Sequence, residues 1–178
     1  MTPQDVACTL GMMLEARDRR RQMQESHFSS HGSGTLVVAT VVAPGEYKLS
    51  ADTLSAADAM REALRQEFAA EIISSSDLDP ATGPETWLVL SCTPADAKLR
   101  AVAIEESHPL GRLFDIDVIL PGPRPMPRAA VGAPRRTCLL CGRQAAECMR
   151  SGRHSREEVL RHIHHLVEGY LHGNDGGA

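Results

Sequence analysis

The longest apolar segment of the chain, Leu36 to Ala43, constrains the fold more than any other and is interrupted only by Thr40. It is rich in β-branched residues and ends at Pro44-Gly45, a pair that is typical of turns. A membrane-spanning helix needs about 20 apolar residues, so this segment is too short to cross a bilayer. A continuous β-branched run of this length instead predicts a buried strand over Thr35 to Ala43.

Helix-length segments alternate with strands along the rest of the chain, and we expect an α+β fold. We expect a small mixed β-sheet packed by helices, with a Cys-rich helical C-terminal segment. We expect a single domain over 1–178, with an α/β core over 1–122 and a Pro-rich arm and Cys/His helical appendage over 123–172. The predicted helices are 4–25, 53–70, 94–107 and one that follows a capping box of Ser155 and Glu158; the predicted strands are 35–43, 86–92, 113–120 and a short one near Ile72.

The first predicted helix carries both apolar residues and arginines. An apolar face is expected to pack on the core, because its members have helical spacing. A run of arginines follows at what would be the last turn, where positive charge favours the helix dipole. The apolar face comprises Val6, Leu10, Met13 and Leu14, and the arginines are Arg17, Arg19, Arg20 and Arg21.

The charge of the chain is unevenly distributed. The 178 residues have a formal net charge of −4, yet the segment from Arg112 to Arg161 contains ten arginines and five acidic residues. A basic segment in an acidic chain favours a local anionic ligand over a nucleic acid bound across the whole surface. We therefore expect no nucleic-acid partner.

The cysteines and the first residues indicate the compartment. Five cysteines are an odd number, and three of them are clustered, which favours free thiols or thiolates in a reducing cytoplasm. The N-terminal sequence MTPQDVACTL has no basic lead before an apolar run, so we expect no signal peptide. We predict a cytoplasmic protein without a membrane partner.

Two carboxylates, Asp115 and Asp117, alternate with apolar residues in the predicted strand 113–120. Side chains at i and i+2 of a strand share a face, so these carboxylates should lie side by side. Mg²⁺ relieves their repulsion, because it takes one or two carboxylates and completes its shell with phosphate oxygens and water. Such an ion could hold a triphosphate and neutralise charge as a phosphoryl bond breaks. Alternatively, both carboxylates bond to loop amides or lie at a solvated edge.

The residues just before this pair also suit a phosphate. Gly111 permits close approach of the backbone, and Arg112 offers a bidentate guanidinium group. His108 could bond a phosphate or move a proton. Alternatively, the His108 imidazole caps the loop.

Cys138, Cys141, Cys148 and His154 follow the spacing C-x₂-C-x₆-C-x₅-H. The first pair has the spacing of a zinc knuckle, and four N/S ligands complete a tetrahedral structural zinc site. The six-residue gap is less usual for zinc, and a redox dithiol or free buried thiols beside a catalytic site are the alternatives. Bound zinc would hold the C-terminal helices and orient the nearby Arg136 and Arg150.

The sequence around these motifs resembles the citrate lyase holo-acyl-carrier-protein synthases, a family also called apo-citrate lyase phosphoribosyl-dephospho-CoA transferases. The matching text is S-H-P-L-G-R-L-F-D-I-D-V at Ser107 to Val118, followed by C-L-L-C at Cys138 to Cys141. The resemblance extends over almost the whole chain, from about residue 10 to residue 170.

This resemblance implies a nucleotidyltransferase. It would transfer the phosphoribosyl-dephospho-CoA group from 2′-(5″-triphosphoribosyl)-3′-dephospho-CoA to a serine of the apo-acyl carrier protein subunit of citrate lyase, and release diphosphate. Asp115 and Asp117 would hold Mg²⁺, and Arg112 would stabilise the leaving diphosphate. His108 or one of the aspartates would accept the serine proton. Further phosphate or carrier contacts are expected from Gly111, Arg17, Lys48, Arg136 and Arg150.

Two other functions stay open at this point. A zinc-stabilised module could bind a carrier protein without catalysis, and it would not depend on the aspartate pair. A related synthase could instead serve the carrier of another enzyme, such as malonate decarboxylase. Only the resemblance separates this last function from the first.

Overall fold

A computed structural model of the chain describes residues 6–30 and 34–174. The helices are α1 (Leu10–Ser30), α2 (Ala51–Glu67), α3 (Pro94–Ser107), α4 (Ala145–Ser151) and α5 (Arg156–Asn174). The strands are β1 (Thr35–Val41), β2 (Ile72–Leu78), β3 (Glu85–Leu90), β4 (Phe114–Leu120) and β5 (Arg124–Pro125), and short 3₁₀ helices span Gly111–Leu113 and Arg128–Val131. None of the helices in these ranges is long and apolar enough to cross a membrane.

The five strands form one sheet in the order β2-β3-β1-β4-β5. The predicted α+β class and the Cys-rich helical C-terminal segment are confirmed. The sheet is antiparallel in every pairing, however, rather than mixed. A strand–helix–strand order such as that of β3, α3 and β4 is typical of parallel neighbours, but β1 lies between those two strands and pairs with both.

One face of the sheet is covered by α2, α3 and α5. The largest side chains of this core, Phe68, Phe114 and Met60, are completely buried. Ile163 and Val167 of α5 belong to the same core, so the C-terminal helix packs on the N-terminal elements. Burial of each such side chain contributes about 1.5–3 kcal/mol. The division of a single domain at residue 122 stays a prediction.

Helix α1 packs on the opposite face of the sheet. Met23 and Phe28, in the second half of the helix, contact a separate apolar cluster that contains Val38, Trp87 and Ile119. Since β1 and β4 contribute to this cluster, α1 lies over the centre of the sheet. The helix therefore covers the face toward which Asp115 and Asp117 of β4 are directed.

The predicted bounds and apolar face of α1 were wrong. The helix runs from Leu10 to Ser30, so its arginines lie in the middle rather than in the last turn. Residues 6–9 are not helical, and residues 4 and 5 lie outside the described ranges. Leu10 and Leu14 are 75% and 51% exposed, and the apolar side chains of α1 that pack on the sheet cluster are instead Met23 and Phe28.

Helices α3 and α5 begin at the caps that the sequence indicates. The Asp96 amide donates to Thr93 Oγ1 at 3.2 Å, and Pro94 opens α3. The Glu158 amide donates to Ser155 Oγ at 3.1 Å, and the Ser155 amide donates to Glu158 Oε2 at 2.8 Å. The predicted capping box is therefore confirmed.

Candidate active site

Asp115 and Asp117 lie on one face of β4 and open into the same cleft. Their partners across the antiparallel pairing with β1 are Thr40 and Val38, which line the cleft as well. Ile116, between the two aspartates, is buried in the core on the other face. The cleft has a volume of about 280 Å³ and lies between the sheet and α1.

Arginines of α1 line the cleft together with these carboxylates. They are Arg17 and, about one turn later in the helix, Arg20 and Arg21. Arg20 also lies 3.8 Å from the buried Glu85 carboxylate, which helps to hold it on the sheet. A carboxylate pair beside guanidinium groups suits a metal–phosphate complex, because carboxylates bind the cation and guanidinium groups bind phosphate oxygens.

The two carboxylates have different environments. The side chain of Asp117 is 39% exposed, whereas that of Asp115 is 52% exposed. Burial, and after it the neighbouring Asp115 carboxylate, raise the pKa of Asp117 to about 6. Lys98 Nζ lies 3.8 Å from Asp117 Oδ1 and offsets part of this rise. A divalent cation between the carboxylates would relieve their repulsion.

Two buried charged side chains of α3 hold the free edge of β4. The Ile116 amide donates to Glu105 Oε1 at 2.9 Å, and Lys98 Nζ donates to the Ile116 carbonyl at 2.9 Å. Lys98 and Glu105 are only 3% and 4% exposed. Burial raises the pKa of Glu105, against the opposing effect of nearby cations of which Arg136 is the strongest. These two side chains thus replace a neighbouring strand beside the aspartates.

Arg136 reaches the aspartate pair from the segment after β5. Its Nη1 lies 3.3 Å from Asp115 Oδ1, and its Nη2 lies 3.3 Å from Glu105 Oε1 and donates to the Phe114 carbonyl. Arg128 donates to the second oxygen of Glu105. Of the predicted residues, Arg17 and Arg136 are therefore brought to Asp115 and Asp117.

Arg112 and Gly111 face other parts of the protein. Arg112 donates from Nη1 to Thr137 Oγ1 at 2.7 Å and from Nη2 to the Thr137 carbonyl at 2.5 Å. A Cβ at Gly111 would lie 2.5 Å from the Ile104 carbonyl oxygen, so the close approach of Gly111 is to the end of α3. Neither residue lines the cleft.

His108 caps the loop, which is one of the two alternatives that the sequence left open. The Leu110 amide donates to His108 Nδ1 at 3.0 Å, and the imidazole packs against the rings of Phe114 and Tyr170. Burial lowers the pKa of His108, which favours the neutral imidazole. Because Nδ1 accepts a hydrogen bond, the neutral ring carries its proton on Nε2.

Lys48 and Arg150 lie outside the cleft lining. Lys48 donates to the Ala43 carbonyl within the loop between β1 and α2. Arg150 is exposed on α4. Their roles as phosphate or carrier contacts stay predictions.

Cys138, Cys141, Cys148 and His154 come together at the start of the C-terminal segment. Their ligand atoms all lie within 4.8 Å of one another, and this cluster could bind a metal such as zinc. The backbone amide of Arg143, and then His154, lower the pKa of Cys141 to about 6. Burial raises the pKa of Cys148 to about 11.

A family model described as apo-citrate lyase phosphoribosyl-dephospho-CoA transferase matches residues 8–170 of the chain. The chain belongs to this family. A probable transferase of this name from Streptococcus pyogenes serotype M18 is 34% identical over 169 residues, which cover 93% of this chain and 88% of the relative. A probable transferase from Vibrio cholerae serotype O1 (strain O395) is 35% identical over 93% of this chain and 95% of its own. The transferase from Escherichia coli O139:H28 is 36% identical over 90% of this chain and 89% of its own.

Membership of the phosphoribosyl-dephospho-CoA transferase family confirms the resemblance drawn from Ser107 to Val118 and from Cys138 to Cys141. In this member of the family, the first of these segments contributes Asp115 and Asp117 to the cleft. The second contributes to the Cys₃His cluster. Arg136 and Thr137 lie between the two segments and contact Asp115 and Arg112 respectively.

Sequence reasoning missed Lys98 and Glu105 in this transferase. A signal was present, because the two residues are seven apart and share a face of the predicted helix 94–107 with Ala97 and Ala101. Charged residues two turns apart on the apolar face of a helix indicate side chains that are buried and bound to polar partners. Arg21 was also missed as a cleft residue.

Proposed function

We propose that this protein transfers phosphoribosyl-dephospho-CoA from 2′-(5″-triphosphoribosyl)-3′-dephospho-CoA to a serine of the apo-acyl carrier protein subunit of citrate lyase. The serine oxygen forms a bond to the α-phosphorus, the bond from that phosphorus to the bridging oxygen breaks, and diphosphate leaves. One observation carries the proposal in structural terms: the aspartate pair of β4 and the arginines of α1 share one cleft. The names of relatives that span most of the chain support the same reaction.

Asp115 and Asp117 would hold Mg²⁺ in this cleft. Both are partly exposed to it; burial and then the Asp115 carboxylate raise the pKa of Asp117, and a bound cation would oppose that rise. When bound, Mg²⁺ would supply charge neutralisation at the triphosphate. Arg136 would keep the Asp115 carboxylate in place, since it contacts that carboxylate and the backbone of the preceding residue.

Arg17, Arg20 and Arg21 would bind the triphosphate and stabilise charge on the leaving diphosphate. They line the cleft, whereas both terminal nitrogens of Arg112 donate to Thr137. The α1 arginines are therefore better placed for the role first assigned to Arg112. Fixed guanidinium groups are effective here because they need little reorganisation as charge develops.

The serine proton would pass to a carboxylate of the pair rather than to His108. His108 lies outside the cleft lining, and its Nδ1 accepts the Leu110 amide. Asp115 and Asp117 line the cleft, so a carboxylate oxygen of the pair that does not bind the cation would accept the proton.

The carrier protein would approach from the arginine-rich side of the molecule. Carrier proteins are typically acidic, so arginines around the cleft and the exposed Arg150 would steer them electrostatically. None of the five cysteines forms a disulfide bond, which supports a reducing cytoplasm as the place of reaction.

The proposal is tested by incubating the pure protein with apo carrier, the triphosphoribosyl donor and Mg²⁺ and then measuring the mass of the carrier. We expect the mass to rise by one prosthetic group, and a carrier with its acceptor serine changed to alanine serves as control. If the protein binds the carrier but the carrier mass does not change, a non-catalytic binding module would be favoured. Modification of the malonate decarboxylase carrier alone would favour the other synthase activity.

A further inference from the structure

The Cys₃His cluster has the dimensions of a metal site. Cys141 Sγ lies 3.5 Å from Cys148 Sγ and 3.3 Å from His154 Nε2, and all four ligand atoms lie within 4.8 Å of one another. With Zn–S bonds of about 2.3 Å and Zn–N bonds of about 2.0–2.1 Å, the edges of a tetrahedral site are about 3.8 Å for S–S and about 3.5 Å for S–N. The observed separations are close to these edges, and the S–S distance is far longer than a disulfide bond of about 2.05 Å.

The backbone around the first two cysteines is also that of a metal-binding turn. The Leu140 amide donates to Cys138 Sγ at 3.5 Å, and the Arg143 amide donates to Cys141. Gly142 has a φ of 68°, a conformation that favours glycine and turns the chain back after Cys141. Amide donors to both sulfurs stabilise thiolates, the form that binds metal.

The turn is joined directly to residues beside the aspartates. An isolated bridge pairs Thr137 with Gln144 across its base, and the Ala145 amide donates to the Arg136 carbonyl at 2.9 Å. Arg136 contacts Asp115, and Thr137 accepts two hydrogen bonds from Arg112. The cluster is therefore positioned to fix the segment from which Arg136 extends.

We propose that Cys138, Cys141, Cys148 and His154 bind one Zn²⁺, which holds Arg136 against Asp115 by fixing the turn. The ion has a structural role, since the four protein ligands fill a tetrahedral shell and leave no position for substrate. This zinc site does not depend on the transferase activity.

Elemental analysis of the full chain, purified under reducing conditions and reconstituted with Zn²⁺, tests the site. We expect one zinc per chain in the parent protein and in Cys92→Ser, whose cysteine lies outside the cluster. We expect Cys141→Ser and Cys148→Ser to lose stoichiometric zinc. Equal zinc content in Cys141→Ser and Cys92→Ser, or a parent without zinc, would overturn the proposal.

Two further measurements keep the test independent of whether a variant folds. Co²⁺ added to the zinc-free parent should give thiolate-to-cobalt charge-transfer bands and the intense d–d bands of tetrahedral cobalt, and their absence would overturn the site. Removal of zinc should speed hydrogen exchange in residues 136–154 and trypsin cleavage after Arg143, while β1 and β4 stay protected. Unchanged exchange in 136–154 would overturn the positioning role.

Discussion

The Glu105 carboxylate accepts the backbone amide of Ile116 at 2.9 Å, and Ile116 is the residue between Asp115 and Asp117. A buried side chain of α3 thus fixes the strand at the point where it presents both carboxylates to the cleft. Arg128 and Arg136 hold the same Glu105 carboxylate from the segment after β5. The position of the aspartate pair therefore depends on contacts from two distant parts of the chain.

Glu105→Ala should lower the free energy of unfolding by about 2 kcal/mol, since it leaves the Ile116 amide and the guanidinium groups of Arg128 and Arg136 without their buried acceptor. Urea unfolding measures this loss. Glu106→Ala is the matched control, because the Glu106 side chain is 52% exposed and also pairs with Arg128. That variant should stay within about 0.5 kcal/mol of the parent. Equal losses in the two variants would mean that burial of Glu105 does not matter.

Asp117→Asn should abolish transfer to the carrier while the melting temperature stays equal to that of the parent or rises. The folded state raises the pKa of Asp117 to about 6, so its ionised form opposes folding above that pH and a neutral side chain does not. Differential scanning calorimetry and the carrier mass assay give both values. Asp58→Asn, which changes an exposed carboxylate outside the cleft, should retain full transfer.

Lower pH should weaken divalent-ion binding as the solution passes through about pH 6, because protonated Asp117 cannot serve as a ligand. In Asp115→Asn, the pKa of Asp117 should fall, since the neighbouring negative charge is removed. NMR titration of the ¹³C-labelled Asp117 carboxyl measures this directly. A pKa that does not change in Asp115→Asn would contradict the electrostatic coupling of the pair.

His108→Asn should keep transfer within about tenfold of the parent, because the Asn Oδ1 can accept the Leu110 amide in place of the imidazole Nδ1. The lost ring contacts with Phe114 and Tyr170 should lower stability modestly. Steady-state kinetics with thermal unfolding separates the two effects. A loss of more than about 100-fold in a folded variant would identify His108 as the base.

Arg17→Gln should raise the KM for the triphosphoribosyl donor by about tenfold, because it removes one charge-assisted contact worth about 1.4 kcal/mol. The KM for the carrier should change less. Arg156→Gln removes an exposed arginine of α5 that does not line the cleft and should leave both values unchanged. If the two variants changed the KM values equally, Arg17 would act only through the overall positive charge of the protein.

Local patterns predicted much of the fold. The β-branched run at Thr35, the Thr93–Pro94 cap and the Ser155–Glu158 capping box each correspond to an element that begins where predicted. These signals are local, because they depend on neighbours within four residues. Strand order is not local, which is why the position of β1 between β3 and β4 was missed and a mixed sheet was expected.

Local patterns in the sequence also predicted only part of the candidate site. Period-2 alternation was sufficient to place Asp115 and Asp117 on one face, and spacing was sufficient to group the three cysteines with His154. Which arginines join the aspartates depends on how α1 crosses the sheet, and α1 is a mostly polar helix whose buried side chains are few. Sequence therefore selected Arg17, which lines the cleft, but it also selected Arg112 by proximity in the chain, and Arg112 does not line the cleft.

Titration with Mn²⁺, followed by electron paramagnetic resonance in the presence of the triphosphoribosyl donor, tests most directly whether the two carboxylates of β4 hold a divalent ion at the phosphates. We expect the parent to bind one ion per chain in a donor-dependent manner and Asp117→Asn to lose that ion while it stays folded. Donor-dependent binding of the same strength in Asp117→Asn would contradict the account.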